Sequence, residues 1–230
     1  MDQIMDLAQK HSLFVLEDAA QSFGARWRDR SAGSMGDMAA LSFFPSKNLG
    51  CFGDGGMIAT ADEELAGLAK MLRTHGGKDK YDVEHIGYNS RLDTIQAAVL
   101  LVKLKHVDRL NNLRKKIAYK YNEQLKDIKW LTLPLELEEA EHAYHQYTVR
   151  ISAGKRDYVQ VGLEEKGIAS AVYYPVPLHQ MKVFQNYSRQ AGNLKHAEEA
   201  CREVLSLPVE PLLKEEELGY IIKHLKNIKM

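Results

Sequence analysis

Three short apolar segments in the first sixty residues constrain the fold of this chain more than any other feature. Acidic residues or glycines flank these segments, which cover residues 13–16, 39–44 and 57–60. Segments of this length and composition are typical of buried strands. A helical spacing of apolar residues precedes them at residues 2–11, and residues 63–74 predict a second helix with Asp62 as its N-cap. This alternation predicts an α/β domain.

A long helical segment follows, from about residue 93 to residue 125. It is so long that we expect a kink or a break near His106. Residues 74–89 are polar and glycine-containing, and they predict a loop. Beyond Trp130 the pattern changes to shorter elements, with strands predicted at 144–151 and 171–174 and helices at 156–166, 193–204 and 215–228. These elements predict a smaller α+β domain.

We therefore expect two domains, residues 1–110 and residues 111–230, with the long helix continuing into the second. Only three strands are recognisable before the long helix, whereas a large α/β domain usually has more. The first domain is therefore expected to be the C-terminal part of a larger domain, with part of its sheet missing.

The composition argues against several functional classes. Lysine plus arginine and aspartate plus glutamate both number 31, so the net charge of zero does not favour binding to nucleic acid or to an anionic membrane. No apolar run approaches the roughly 18 residues that span a bilayer. The two cysteines, Cys51 and Cys201, lack metal-binding spacing, and the nine histidines show no recurrent ligand pattern. We expect a cytoplasmic protein without a metal site, a nucleic-acid partner or a membrane partner.

Lys47 is the most informative candidate for chemistry. An apolar run delivers it to a turn that leads into a glycine-rich segment at residues 53–56. Asp18 ends an earlier apolar run. An acid and an amine at two strand ends are what pyridoxal 5'-phosphate (PLP) requires, because the acid partners the ring nitrogen and the amine bonds to the aldehyde. The alternatives are that Asp18 caps a turn and that Lys47 is a solvated surface lysine.

Further polar residues could bind an anion. Ser42 could offer its hydroxyl to a phosphate, although it could also be an ordinary small residue in a strand. Asn89 and Arg91 precede the long helix, whose N-terminus favours negative charge. The alternative is that Asp93 caps this helix while Arg91 is merely exposed. The segment 173–179 could be a pocket wall or simply a strand end.

These motifs occur together and in a fixed order, at residues 15–21, 36–48, 53–57, 87–91, 142–145, 174–179 and 206–208. In this combination the chain resembles the DegT/DnrJ/StrS family of PLP-dependent sugar aminotransferases. The resemblance extends over nearly all 230 residues. It implies the aspartate aminotransferase-like fold (fold type I), an α/β fold, with an incomplete large PLP-binding domain and a small α+β C-terminal domain.

The resemblance also implies roles for the matched residues. Lys47 would be the catalytic lysine, bonded to the cofactor and then moving a proton. Asp18 would partner the pyridinium nitrogen, Gln21 would lie beside the ring oxygen, and Ser42 would bind the phosphate. Asn89 would reach the cofactor phosphate of the neighbouring subunit, which implies a homodimer with a shared active site.

For the substrate, the resemblance suggests contacts from Arg91, Tyr174 and His179. A lysine at position 47, where the family's sugar dehydratases lack it, argues against that branch. The implied reaction transfers an amino group, with glutamate as the expected donor, to a nucleotide-linked keto-sugar.

Family members begin well before this chain, and the earlier part holds a phosphate-binding loop and the aromatic residue that stacks on the cofactor ring. We therefore expect weak or no PLP binding by these 230 residues alone, which could be an inactive fragment. A non-catalytic dimerisation or regulatory remnant of such an enzyme is the alternative.

Overall fold

A computed structural model describes residues 1–79, 81–152, 154–184, 186 and 192–229. The chain forms two compact units. The first unit contains residues 1–112 and 136–145, and the second contains residues 113–135 and 146–230. The first unit is therefore not continuous in sequence, since it includes the later segment 136–145. The domain boundary expected between residues 110 and 111 stays a prediction.

The described residues contain helices and strands in the following chain order. The helices are α1 (Asp2–His11), α2 (Glu63–Arg73), α3 (Thr94–Leu104), α4 (Val107–Leu125), α5 (Arg156–Glu164), α6 (Lys195–Glu203) and α7 (Glu215–Asn227). The strands are β1 (Leu16–Asp18), β2 (Arg26–Trp27), β3 (Arg30–Ser31), β4 (Met38–Ser42), β5 (Gly56–Ala59), β6 (Leu131–Thr132), β7 (Ala140–Glu141), β8 (Tyr147–Ile151) and β9 (Val204–Leu207).

The main sheet of the first unit has the strand order β1-β4-β5. Strand β1 runs parallel to β4 with Asp18 beside Ala40, and β4 runs antiparallel to β5 with Ser42 beside Gly56. A second, smaller sheet has the order β3-β2-β7. The parallel pair brings the carboxyl ends of β1 and β4 to the same edge of the main sheet.

The segment after β4 packs on a small apolar core. Its buried residues come from this segment and from α3 and α4, and they are Phe43, Leu49, Cys51, Leu100 and Val107. Phe23 and Leu92 are partly buried and pack against the same cluster. Fully burying an apolar side chain of this size contributes about 1.5–3 kcal/mol. The connection that contains Lys47 is therefore anchored to the core and is not a free surface loop.

Two predictions about helices are confirmed, namely the break in the long helical segment and the N-cap of α2. The long helical segment breaks as predicted, since α3 ends at Leu104 and α4 begins at Val107. Asp62 caps α2 by accepting hydrogen bonds from the backbone N–H groups of Glu64 and Leu65, at 2.8 and 2.9 Å.

Two strand predictions are wrong in part. The strand predicted at residues 13–16 lies later, at Leu16–Asp18, and it is not buried: Phe14 is 78% exposed and Leu16 is 68% exposed. Strand β1 pairs on one side only, so among the described residues no further strand covers its outer edge. Residues 171–174 form only an isolated bridge between Ala171 and Ser206. Pro175 follows at once and lacks the N–H group that would continue a ladder.

The second unit is built on the antiparallel sheet β6-β8-β9. Its fully buried larger side chains come from the sheet and from α4, α5 and α7, and they are Tyr121, Leu125, Tyr147, Val149, Ile151, Val159, Leu163, Leu205 and Leu225. The Tyr121 hydroxyl donates to the carbonyl of Pro208 at 2.9 Å, and its ring lies 4.8 Å from that of Tyr147. Burial, with a smaller contribution from Tyr147, raises the pKa of Tyr121. This hydroxyl therefore stays protonated and serves as a donor in the core.

We predict that Tyr121→Phe lowers the free energy of unfolding by about 1 kcal/mol, because it removes the hydrogen bond from the buried Tyr121 to the partly buried Pro208 carbonyl. Urea unfolding followed by circular dichroism measures this. Tyr220→Phe is the matched control, since the Tyr220 hydroxyl donates to a backbone carbonyl, that of Lys166, from an exposed position at 3.3 Å. Equal losses in the two variants would contradict the role of burial.

We also predict that the open edge of β1 promotes self-association. Leu16→Lys should shift the protein toward smaller species in size-exclusion chromatography, because a charge on an edge strand disfavours edge-to-edge pairing. Leu212→Lys provides the control, because Leu212 is 66% exposed but lies outside any strand. The prediction fails if both variants change the elution profile alike.

Candidate active site

The carboxyl-terminal edge of the parallel pair carries two of the predicted site residues. Asp18 is the last residue of β1 and Ser42 is the last residue of β4. Because Asp18 pairs with Ala40 and side chains alternate along a strand, Asp18, Ala40 and Ser42 share one face of the sheet. Ala40 and Gly56 are small, so this face is open above the strands. The structure thus brings Asp18 and Ser42 to one exposed surface.

Asp18 also caps the turn that follows it, which was the alternative to a role in binding the cofactor. Its Oδ1 accepts a hydrogen bond from the backbone N–H of Ala20 at 3.1 Å. Its other carboxylate oxygen has no partner among the described residues. The turn contact orients the carboxylate and leaves one oxygen available, so the two roles are compatible. The role as a cofactor partner stays a prediction.

Glu17, the neighbouring acid, has a different task on the opposite face. Its carboxylate accepts backbone hydrogen bonds from Gly33 at 2.8 Å, Met35 at 2.5 Å and Gly36 at 2.7 Å. Burial alone would raise the pKa of Glu17, but these three donors and the nearby Arg30 outweigh it and hold the pKa below its ordinary value. Glu17 therefore anchors the loop that precedes β4.

Ser42 is half-buried and makes one local contact. Its hydroxyl oxygen accepts a hydrogen bond from the backbone N–H of Phe44 at 3.3 Å. This contact holds the first bend of the chain after β4 and fixes the position of the hydroxyl at the sheet edge. Binding of a phosphate by Ser42 stays a prediction.

Lys47 lies in the turn that follows β4. Its backbone N–H donates to the carbonyl of Phe44 at 2.8 Å, which closes the turn. The side chain is half-buried, and its amine has no hydrogen-bond or ion-pair partner within the described ranges. Lys47 thus lies beside the buried residues Asn48 and Leu49, with an amine that could meet either solvent or a ligand. Its role as the cofactor lysine stays a prediction.

Two side chains of α3 bind the backbone of the segment that follows Lys47. The Lys103 amine donates to the carbonyl of Gly50, and Gln96 Oε1 accepts the backbone N–H of Phe52 at 2.7 Å. A Cβ atom at Gly53 would lie 3.3 Å from Gln96 Nε2, so a glycine permits the close approach. Neither Lys103 nor a role for Gln96 could be predicted from a sequence motif. Their only signal is that both lie on one helix, seven residues apart.

The remaining predicted residues of the first unit are exposed. Gln21 lies in the turn after β1, three residues beyond Asp18. Asn89 Oδ1 accepts a hydrogen bond from Arg91 Nη2 at 3.3 Å, in the segment before α3. Asp93 occupies the N-cap position of α3 without a side-chain cap hydrogen bond, so the alternative that it caps this helix is not supported. Asn89 and Arg91 form a small polar pair near a helix N-terminus.

Tyr174 and His179 belong to the second unit. Tyr174 is 58% exposed, and His179 Nε2 lies 3.1 Å from Glu198 Oε1. Glu198 is thus a partner for His179 that the sequence analysis did not identify. Tyr174 and His179 lie in a different compact unit from Lys47. Their role as substrate contacts stays a prediction.

No group of three or more histidine, cysteine, aspartate or glutamate residues could hold a metal ion in the described part of the chain. Within the same residues, no helix has the length and apolar character needed to cross a membrane.

Comparison with known proteins gives consistent relationships. A sequence model of the DegT/DnrJ/EryC1/StrS aminotransferase family matches residues 1–226. The chain is 47% identical over 225 residues to a pleiotropic regulatory protein of Geobacillus stearothermophilus, covering 97% of this chain and 60% of that protein. It is 42% identical over 214 residues to the dTDP-3-amino-3,4,6-trideoxy-alpha-D-glucose transaminase of Streptomyces venezuelae, covering 93% and 56%. The chain thus spans about 60% of the length of these relatives.

Solved structures agree with this. A DegT/DnrJ/EryC1/StrS aminotransferase from Brucella abortus superposes with a TM-score of 0.93 at 40% identity, covering 98% of this chain and 60% of that one. NtdA of Bacillus subtilis, solved with the cofactor PMP bound, gives 0.83 at 32% identity, covering 96% and 53%. These matches confirm the predicted α/β fold of type I and show that PLP is the cofactor of the family.

We predict that Glu17→Gln destabilises the protein above about pH 4.5, the ordinary pKa of a glutamate. A carboxyl group with a lowered pKa in the folded state stabilises the fold above its unfolded pKa, and this contribution disappears as the pH falls through the folded pKa. Melting temperatures of both proteins measured from pH 7 to pH 3 should therefore converge at the acid end.

Glu138→Gln serves as the control for this experiment, because Glu138 is exposed and lies outside any helix or strand. It should leave the pH dependence of the melting temperature unchanged. A constant difference between wild type and Glu17→Gln at every pH would show that the ionised carboxylate does not provide the stabilisation.

Proposed function

Because the chain belongs to the DegT/DnrJ/EryC1/StrS aminotransferase family, we propose that it takes part in PLP-dependent transfer of an amino group to a nucleotide-linked keto-sugar. The observation that carries the proposal is that Lys47 is half-buried and its amine has no hydrogen-bond or ion-pair partner among the described residues. Lys47 follows strand β4, which pairs with the strand that ends at Asp18. We propose glutamate as the amino donor.

The polar groups at the sheet edge fit the cofactor chemically. Asp18 offers a carboxylate oxygen for the pyridine nitrogen, Ser42 offers a hydroxyl for the phosphate, and Lys47 offers the amine. Gln21, in the turn beyond Asp18, would lie beside the ring oxygen. When bound, the cofactor supplies an electron sink that stabilises negative charge on the carbon carrying the amino group.

Lys47 would have two roles in this reaction. Its nitrogen would hold the cofactor, and once released it would move the proton at the carbon that carries the amino group. Proton transfer requires an unprotonated nitrogen. No described residue forms an ion pair with Lys47 that would have to break before its nitrogen reaches that carbon.

We propose the substrate class from the activities for which two relatives are named. The Streptomyces venezuelae relative is a transaminase named for a dTDP-linked amino sugar, and another relative, from Acidithiobacillus ferrooxidans, is named for a UDP-linked one. A nucleotide-linked keto-sugar is the substrate class common to both. Arg91, Tyr174 and His179 remain the proposed contacts with it.

We propose that the active protein is a homodimer in which Asn89 reaches the cofactor phosphate of the partner subunit. An apolar face of α3 supports an interface near this residue. Ile95, Leu101 and Val102 are 76%, 64% and 60% exposed, and they recur along one side of the helix. A second subunit that covered this face would bury these three side chains. Asn89 and Arg91 shortly precede the same helix in the sequence, so they would lie near such an interface.

We also propose that the protein acts in the cytoplasm. Cys51 and Cys201 are free thiols, which is ordinary in a reducing compartment. Cys51 is buried in the core, so it contributes to packing and not to a disulfide framework.

A regulatory or dimerisation role without catalysis is the second candidate. It is favoured by the relative from Geobacillus stearothermophilus, which is named a pleiotropic regulatory protein. Cofactor binding distinguishes the two candidates, because a purely regulatory role does not need a reactive Lys47.

We predict that the chain binds PLP weakly and that this binding depends on Lys47. Weak binding is expected because Asp18 and Gln21 are exposed, so the bound cofactor would stay in contact with water. In a titration followed by visible absorbance, Lys47→Ala should weaken the apparent affinity by about tenfold, or 1.4 kcal/mol.

Lys70→Ala is the control, because Lys70 is an exposed helical lysine on α2. It should behave as the wild type does. If both variants bind the cofactor as the wild type does, Lys47 is not the cofactor lysine and the regulatory candidate gains support.

A further inference from the structure

Asn48, the residue immediately after Lys47, is only 9% exposed, and its side-chain amide is fully hydrogen-bonded. Its Nδ2 group donates to Asn111 Oδ1 at 2.7 Å and to the carbonyl of Ala143 at 2.9 Å. Both N–H bonds are therefore used. Its Oδ1 lies 3.1 Å from His145 Nδ1, so this ring nitrogen carries a proton and donates it.

Asn111 extends the network to the segment that follows Asp18 and Gln21. It is 5% exposed, and its Nδ2 donates to the carbonyl of Phe23 at 3.0 Å. The next residue, Gly24, has a φ of +85°, and a Cβ atom there would lie 2.3 Å from Asn111 Nδ2. A glycine at this position is therefore required for the contact.

We infer that Asn48 and Asn111 are positioning residues for Lys47. Two buried amides connect the turn that carries the amine to the segment that begins with the acid, and they fix the spacing between the two. This inference rests on the proposed function, because the spacing matters only if one cofactor must reach both groups. An error of about 1 Å in such a spacing can reduce a reaction rate by about a hundredfold.

The choice of amides has a chemical reason. A buried carboxylate at position 48 or 111 would carry a high desolvation cost, and it would place negative charge near the Lys47 turn. Neutral amides hold the turn with directed hydrogen bonds and add no charge beside it. The side-chain N–H groups and the side-chain oxygen of Asn48 all have hydrogen-bond partners, as buried polar groups require.

Trapping with PLP itself tests the inference. The protein is incubated with PLP and reduced with borohydride, and peptide mass spectrometry then quantifies the adduct at each lysine. The measured quantity is the ratio of adduct at Lys47 to adduct at the exposed Lys10 and Lys70, recorded from pH 6 to pH 10. This ratio reports the placement of the Lys47 amine, whereas global stability is followed separately by thermal unfolding.

Asn111→Leu removes the hydrogen bonds of Asn111 to Asn48 and to Phe23 while keeping a side chain of similar size. We expect the Lys47 ratio to fall about tenfold, which is within the effect of losing two ordinary hydrogen bonds. Gly24→Ala is a second, independent variant, because its Cβ displaces the Asn111 amide without changing that residue. It should lower the ratio in the same direction, and it decides the question if Asn111→Leu does not fold.

Asn122→Leu is the matched control. The Asn122 side chain accepts a hydrogen bond from the Tyr147 hydroxyl at 2.6 Å, so the variant also removes a part-buried hydrogen bond made by an asparagine. It should lower the melting temperature but leave the Lys47 ratio and its pH profile unchanged. An unchanged ratio in a folded Asn111→Leu or Gly24→Ala protein would overturn the inference.

Failure of the proposed function gives a different result. In that case Lys47 of the wild-type protein reacts no more than Lys10 and Lys70, and both the proposal and the inference are wrong. Preferential reaction of Lys47 in the wild type that persists in the network variants leaves the proposed function intact and rejects the positioning role alone.

Discussion

The parallel pairing of β1 with β4 is the interaction on which the candidate site depends. It sets Asp18 beside Ala40 and therefore places the last residues of both strands at one edge of the sheet. A slip of one residue would move Asp18 to the opposite face and bring Glu17 to the open one. The three backbone hydrogen bonds to the Glu17 carboxylate resist such a slip, because they hold this side chain on its own face.

The sequence could predict what local interactions decide. Asp62 caps α2 because its carboxylate reaches the N–H groups two and three residues ahead. The break between α3 and α4 was predicted from the unusual length of the helical segment. The positions of Asp18 and Ser42 at strand ends, and of Lys47 in the turn after β4, agree with the sequence pattern, whereas their roles stay predictions. The open edge of β1 could not be predicted, because the sequence of a strand does not reveal which neighbours cover it.

The contacts that hold the site could not be predicted for the same reason. Asn48, Asn111 and His145 are separated by up to 97 positions along the chain, and no periodicity connects them. The two acids Glu17 and Asp18 look equivalent in the sequence. Their different roles follow from the alternation of side chains in β1, which directs one to a loop and the other to an open face.

The hydroxyl of Ser42 shows how a local contact can determine which ligands a site accepts. Its oxygen already accepts the N–H of Phe44, which uses one of its two lone pairs and leaves the hydroxyl hydrogen unused. The hydroxyl can therefore still donate to an acceptor such as an anionic oxygen, and it has less capacity left as an acceptor. A backbone hydrogen bond of 3.3 Å thus shifts what this corner of the sheet offers a ligand toward donation.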